Sequence, residues 1–194
     1  MKTFLTPDKY KFKGSLKLDY ILRVKPIPFL EHIYMDVGAS TGGFIYVILK
    51  SKVKKIYAVD VGNSQIDKNL EEIDFIDNIE GVHINNINRD YLHPKPQMVT
   101  ADLSFVSLKN VLEGIFLCSA DTLRLYTLVK PQFEVSQKLI NLNGVISQKY
   151  IQQMGLLNVL YYIKVVIDHK IIEFSDCPKK NLNKNTEHWV VSER

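Results

Sequence analysis

Runs of β-branched and bulky apolar residues alternate with segments of helical spacing along most of this chain. I-Y-M-D-V at 33–37 and K-I-Y-A-V-D at 55–60 have the composition of buried strands. Similar runs predict strands near 82–85, 97–102, 123–130, 170–175 and 187–192, and the intervening segments predict helices near 15–24, 42–51, 63–71, 107–119 and 148–167. Strands and helices alternating in this way predict an α/β fold: a seven-stranded, mostly parallel sheet with helices on both faces. The short N-L-N-K-N connection at 181–185 makes the last pair a hairpin, so the last strand is expected to run antiparallel.

The break after the first strand narrows the chemistry. In D-V-G-A-S-T-G-G-F at 36–44, Gly38 permits a tight turn, while Gly42 and Gly43 let the backbone approach a ligand at the head of the next helix. The second strand ends in Asp60, about 20 positions on, where a carboxylate can accept hydrogen bonds from both hydroxyls of a ribose. The spacing is not the G-x-G-x-x-G of dinucleotide sites. Ser40 replaces the middle glycine, and Asp36 would repel a diphosphate but attract a cation. These features favour S-adenosylmethionine, with its sulfonium and amino group, over NAD. The plainer alternative is an ordinary turn with packing glycines and a strand-end acid. Ligands of open α/β sheets lie beyond the carboxyl ends of the strands. Gly38, Asp60, Asn86, Asn88, Asp102 and Lys130 all follow predicted strand ends and are expected in one crevice, with Asn86 or Asn88 at the edge of an adenine.

Bulk properties restrict the classes. The 194 residues are expected to form one domain, 1–194. Twenty-five basic against 21 acidic residues give a net charge of +4, which tolerates a nucleic-acid partner without demanding one. Cys118 and Cys177 lie far apart without CxxC spacing and are expected to be free thiols in a reducing compartment. The start, M-K-T-F-L-T-P-D-K-Y, lacks the apolar core of a signal peptide. The longest apolar candidate, 155–167, is interrupted by Lys164 and falls short of the ~20 residues of a membrane span. A soluble, cytoplasmic protein with no metal and no membrane partner is expected, its oligomeric state open. The basic stretch at 179–184 reads as a solvated loop in preference to a nucleic-acid contact.

A second cluster centres on Asp102, which directly follows an apolar strand and needs a partner there. Lys130, at the end of L-Y-T-L-V with Pro131 stopping the strand, can be that partner. Lysine in apolar surroundings is readily biased toward its neutral amine, which makes it a candidate base for a hydroxyl. Lys17, on the first helix, and Glu187, opening the last strand, could join them. Spacing alone slightly favours a structural ion pair at the sheet rim.

With these motifs the chain resembles the TlyA-type ribosomal RNA methyltransferases within the FtsJ-like group of ribose 2'-O-methyltransferases. The matching segments are 36–44, Y-A-V-D-V-G at 57–62 with Gln65, A-D-L-S-F-V-S-L at 101–108, L-V-K-P-Q-F-E-V at 128–135 and N-G-V-I at 143–146. The resemblance implies a Rossmann-like class I methyltransferase dependent on S-adenosylmethionine, with ribosomal RNA or a ribosomal subunit as partner. It places a catalytic tetrad on Lys17, Asp102, Lys130 and Glu187, with Lys130 taking the proton of a ribose 2'-hydroxyl. Cofactor contacts fall on Asp36, Gly38, Ala39, Ser40, Gly42, Gly43, Phe44, Asp60, Val61 and Asp102, besides Asn86 and Asn88. The chain departs from the pattern in three short motifs. K-G-S-L-K-L at 13–18 has lost one glycine, Phe44-Ile45-Tyr46 stands for F-T-D, and E-V-S-Q at 134–137 stands for E-V-G-R. The amino-terminal S4-type RNA-binding domain usual in relatives is expected to be lacking, since sixteen residues precede Lys17. A catalytically silent scaffold that binds the cofactor or RNA is the alternative, and a haemolysin a more distant one.

Overall fold

The computed structural model describes residues 13–28, 31–178 and 184–194. In chain order the elements are α1 (Lys13–Val24), β1 (His32–Val37), α2 (Gly43–Ile48), β2 (Val53–Val59), α3 (Lys68–Glu71), β3 (Ile76–Ile79), β4 (Met98–Ala101), α4 (Lys109–Cys118), β5 (Arg124–Val129), α5 (Lys149–Tyr161), β6 (Lys170–Asp176) and β7 (His188–Glu193). The expected seven strands form one sheet in the order β3-β2-β1-β4-β5-β7-β6. Neighbours from β3 to β5 pair in parallel, and β7 inserts antiparallel between β5 and β6. The antiparallel last strand is therefore found as the sequence predicts. The basic stretch at 179–184 lies almost wholly outside the described residues.

The central strands are buried on both faces, which is why they read as near-continuous apolar runs. All six residues of β1 are buried, as are all four of β4. The pleat divides the core in two. Tyr34, Ile56, Ala58, Met98, Tyr126 and Leu128 pack with Leu18 and Ile21 of α1, Ile45 and Ile48 of α2 and Leu70 of α3. Met35, Val37, Tyr57, Val59, Val99 and Val129 pack with Val111 and Ile115 of α4 and Leu156 and Val159 of α5. The helices therefore cover both faces. Trp189, on β7 opposite Leu128, is fully buried and its ring lies 5.9 Å from that of Phe44.

The third strand corrects the sequence expectation. It lies at 76–79, not 82–85. I-D-N-I is polar at its middle because β3 is the edge of the sheet, where Asp77 pairs with Lys55 of β2 at 2.6 Å. V-H-I at 82–84 has strand-like alternation but forms a turn into a short 3₁₀ segment, with His83 accepting from the Asn85 N–H. Helix α3 is also shorter than the expected 63–71. Glu80 accepts the backbone N–H groups of Ser64, Gln65 and Ile66, so this segment is held open until Asp67 caps α3. The last helix runs from 149 to 161 and loosens into a π turn at Tyr162–Val166, within the expected span.

Candidate active site

The strand order reverses between β1 and β4, and the loops leaving these strands diverge to open a crevice at the carboxyl edge. It has two adjoining hollows that share Gly38, Ser40, Asp102 and Ser104. The outer hollow, about 340 Å³, is bounded by Asp60, Val61 and Gln65 on one side and by Val82, His83, Ile84, Leu103 and Val106 on the other. The inner hollow, about 410 Å³, is bounded by Asp36, Ala39, Thr41, Gly43, Phe44 and Lys130.

The glycine turn brings the backbone close. Gly38 has φ +85°, and a Cβ there would meet the Asp102 carbonyl oxygen at 2.9 Å. The Gly38 and Ala39 N–H groups bond the Val59 carbonyl, tying the turn to the end of β2. Asp60 closes the arrangement: one carboxylate oxygen accepts the Ser40 N–H and the other the Gly62 N–H, both at 2.8 Å. Each oxygen can accept a further hydrogen bond, and Asp60 lines the outer hollow. Gly42 belongs to a different category, since it lines neither hollow. It starts α2 at φ +84°, and a Cβ there would strike Leu70 at 2.1 Å.

Asp36 is the most unusual group in the crevice. It is 1% exposed, lines the inner hollow, and accepts from Thr100 Oγ1 at 2.6 Å, with Tyr34 Oη bonded to that same hydroxyl. Burial, reinforced by the charges of Asp102 and Asp60 and only partly offset by the Thr100 hydrogen bond, pushes its carboxyl up to about 7.

Above it four charged side chains alternate in sign. Glu187 Oε2 lies 2.9 Å from Lys17 Nζ, Lys17 Nζ 3.1 Å from Asp102 Oδ2, and Asp102 Oδ1 2.7 Å from Lys130 Nζ. Lys130 is 8% exposed and donates to Ser104 Oγ at 2.9 Å. Burial alone would push the Lys17 ammonium down, but Asp102 and Glu187 outweigh it and hold its pKa above the ordinary value. Burial likewise works against the Asp102 carboxylate, and Lys130 with Lys17 reverses it, leaving the pKa below the ordinary 3.8. Lys17 arrives on α1 and Glu187 just before β7. The antiparallel insertion of β7 puts its beginning at the same edge as the ends of the parallel strands.

The structure thus gathers Asp36, Gly38, Ala39, Ser40, Gly43, Phe44, Asp60, Val61, Asp102 and Lys130 around the hollows and joins Lys17 and Glu187 to Asp102. It does not bring Asn86 or Asn88 there. Both border a shallow depression with Ile87 and Tyr91, on the other side of Val82 from the outer hollow's lining, and Asn88 Oδ1 caps the turn at Asp90. Their expectation followed from the misplaced third strand; His83 and Ile84 occupy the corresponding wall. Ser15, which stands where the family pattern has glycine, is buried and donates to the Gly43 carbonyl at 2.8 Å, fastening α1 to the turn. Ser104, Glu80 and Glu134 also matter to the site and carry no spacing signal of their own. Among the described residues no group of three or more metal-ligating side chains occurs, and no helix is long and apolar enough to cross a membrane.

Comparison with known proteins identifies the family. Residues 10–193 match the FtsJ-like methyltransferase family. The chain is 30% identical over 189 residues to Hemolysin A of Brachyspira hyodysenteriae, covering 94% of this chain and 78% of that protein. It is 31% identical over 147 residues to the 16S/23S rRNA (cytidine-2'-O)-methyltransferase TlyA of Mycobacterium tuberculosis, covering 76% of this chain and 55% of that one. The match therefore spans about half the length of that relative. A solved structure of a hemolysin-named protein from Streptococcus thermophilus superposes with a TM-score of 0.87 at 29% identity, covering 96% of this chain and 67% of the other.

Proposed function

Since this chain belongs to the FtsJ-like methyltransferase family, we propose that it transfers a methyl group from S-adenosylmethionine to a ribose 2'-hydroxyl of ribosomal RNA, with residues 1–194 as one catalytic domain working in the cytoplasm. The observation that carries the reading is the charge chain Glu187–Lys17–Asp102–Lys130, which ends at the inner hollow beside the glycine turn.

The residues present fit the cofactor. Asp60 has acceptor positions for two ribose hydroxyls, and Val82, Ile84, Leu103 and Val106 offer an apolar slot for a base. Asp36 is a buried acid whose pKa of about 7 marks the want of a nearby cation, and an amino group would supply one. When bound, S-adenosylmethionine supplies an electrophilic methyl group. With Lys130 in its neutral amine form, Nζ would receive the 2'-hydroxyl proton as the freed oxygen takes the methyl group, and Asp102, 2.7 Å away, would stabilise the ammonium that forms. Ser104 Oγ fixes the direction of the amine, while Lys17, itself neutralised by Glu187, keeps Asp102 ionised. Holding both reactants in line supplies much of the remaining rate. Phe105, 92% exposed at the rim with its ring 5.4 Å from that of Phe133, gives the acceptor base a surface to stack on.

The direct test is methyl transfer from labelled S-adenosylmethionine to small and large ribosomal subunits and to naked ribosomal RNA. Incorporation blocked by a 2'-deoxy substitution supports the reading, and cofactor binding with no incorporation into any of them overturns it. Two expectations follow from single residues. At pH 7 a group with a pKa of about 7 is half protonated, so cofactor binding is expected to release about half a proton from Asp36. Calorimetry in buffers of different ionisation enthalpy reads this release, which Asp36→Asn should eliminate. Phe105→Ala is expected to weaken RNA binding roughly 5- to 150-fold, the value of one lost base–aromatic stack, measured by filter binding.

A further inference from the structure

Two segments leave the carboxyl edge side by side, 102–108 after β4 and 130–135 after β5, and they are fastened at three points. Lys130 donates to Ser104, Phe105 packs on Phe133, and the Glu134 carboxylate accepts from Ser107 Oγ at 2.6 Å and from the Leu108 N–H at 2.8 Å. The third fastening stands outside the charge chain. Helix α4 has no capping side chain from its own segment, and Leu108 is its first half-turn residue. Glu134 supplies the missing acceptor from a different part of the chain and places its negative charge at the positive end of the helix dipole. Its carboxyl is 8% exposed, with both oxygens committed across the gap.

What lies between the Ser104 and Ser107 fastenings is strained. Phe105 has φ +66°, in the left-handed region that is costly for a bulky aromatic residue, and its ring projects into solvent. A loop free to relax would leave that conformation. Ser104 holds one side of it through Lys130, and Ser107 with Leu108 holds the other through Glu134.

We infer that Glu134 is a positioning residue for the methyl acceptor: it keeps loop 103–108 in the strained form that presents Phe105 to an incoming nucleotide and Ser104 to Lys130. What the loop presents rests on the proposed function; that Glu134 holds the loop does not. The experiment compares the whole protein with E134A and E134Q by hydrogen exchange, by cofactor calorimetry and by methyl transfer to ribosomal RNA. In E134A the amides of 104–110 are expected to exchange about tenfold faster with the distant strands unchanged. The kcat/KM for RNA should fall about tenfold or more, while the cofactor Kd shifts less than about threefold. E134Q should restore both, because its amide oxygen can accept the Leu108 N–H and its amide nitrogen can donate to Ser107. Unchanged exchange in E134A, or an E134Q as impaired as E134A, overturns the inference. Should E134A fail to fold, Ser107→Ala removes one of the two contacts and carries the same expectation at smaller amplitude. A wild-type protein that methylates no RNA defeats the functional reading, while the exchange data still decide whether Glu134 holds the loop.

Discussion

Lys130→Ala is expected to lower methyl transfer by about a hundred- to ten-thousand-fold, with cofactor binding nearly unchanged. Lys130 is 8% exposed at the end of β5, and its amine is oriented from two sides, by Asp102 at 2.7 Å and by Ser104 at 2.9 Å. Among the described residues the other amine of the charge chain, Lys17, is already held between Asp102 and Glu187. The proposed cofactor side of the crevice rests on Asp36, Gly38 and Asp60, and its turn is fixed by bonds to the Val59 carbonyl and the Asp60 carboxylate, not to Lys130. Single-turnover transfer and cofactor calorimetry on the same preparation separate the two effects. A variant with wild-type kcat would remove Lys130 from its assigned role, and one that lost cofactor affinity to the same extent as kcat would make the residue structural.

Asp102→Ala is expected to damage folding and chemistry together. The carboxylate lies between two ammonium groups, so its removal leaves Lys130 buried beside a neutral hydroxyl. Breaking a buried pair by removing one partner costs about 3–5 kcal/mol, equivalent to roughly 6–20 °C in the melting temperature of a chain this size. The sign of the pH dependence follows from the depressed pKa of Asp102, whose causes are Lys130 and Lys17 acting against burial. The native state binds fewer protons there than the unfolded chain does around the ordinary value of 3.8. The stabilisation is therefore fully present above 3.8 and is lost as pH falls through the lower folded value. Thermal melts of wild type and Asp102→Ala should differ most near neutrality and converge in acid. Melting curves that stayed parallel down to low pH would rule out this ion-pair origin.

The sequence makes the interior of this fold legible and leaves its edges obscure. The central strands could be read because burial on both faces favours near-continuous apolar runs, and β1 and β4 are buried along their whole length. At the sheet margin β3 answers to a cross-strand ion pair, Asp77 with Lys55, and I-D-N-I gives no alternation to detect. With the third strand expected six positions too late, Asn86 and Asn88 are expected at the crevice wall that His83 and Ile84 line. The charged site divides in the same way. Asp102 and Lys130 follow strand ends and can be paired by topology, whereas Lys17 and Glu187 are 170 positions apart and emerge only through the family pattern. Glu80 and Glu134 act on backbone N–H groups of other segments, contacts that leave no periodic trace.

The placement of Trp189 gives the chain an optical gauge of its own completeness. It is the single tryptophan in the sequence, fully buried against Phe44 and two residues beyond Glu187. Its indole emission is therefore expected to change as β7 takes its place between β5 and β6, which also brings Glu187 to Lys17. A refolding trace followed by intrinsic fluorescence, with no label attached, times the closing of the charge chain.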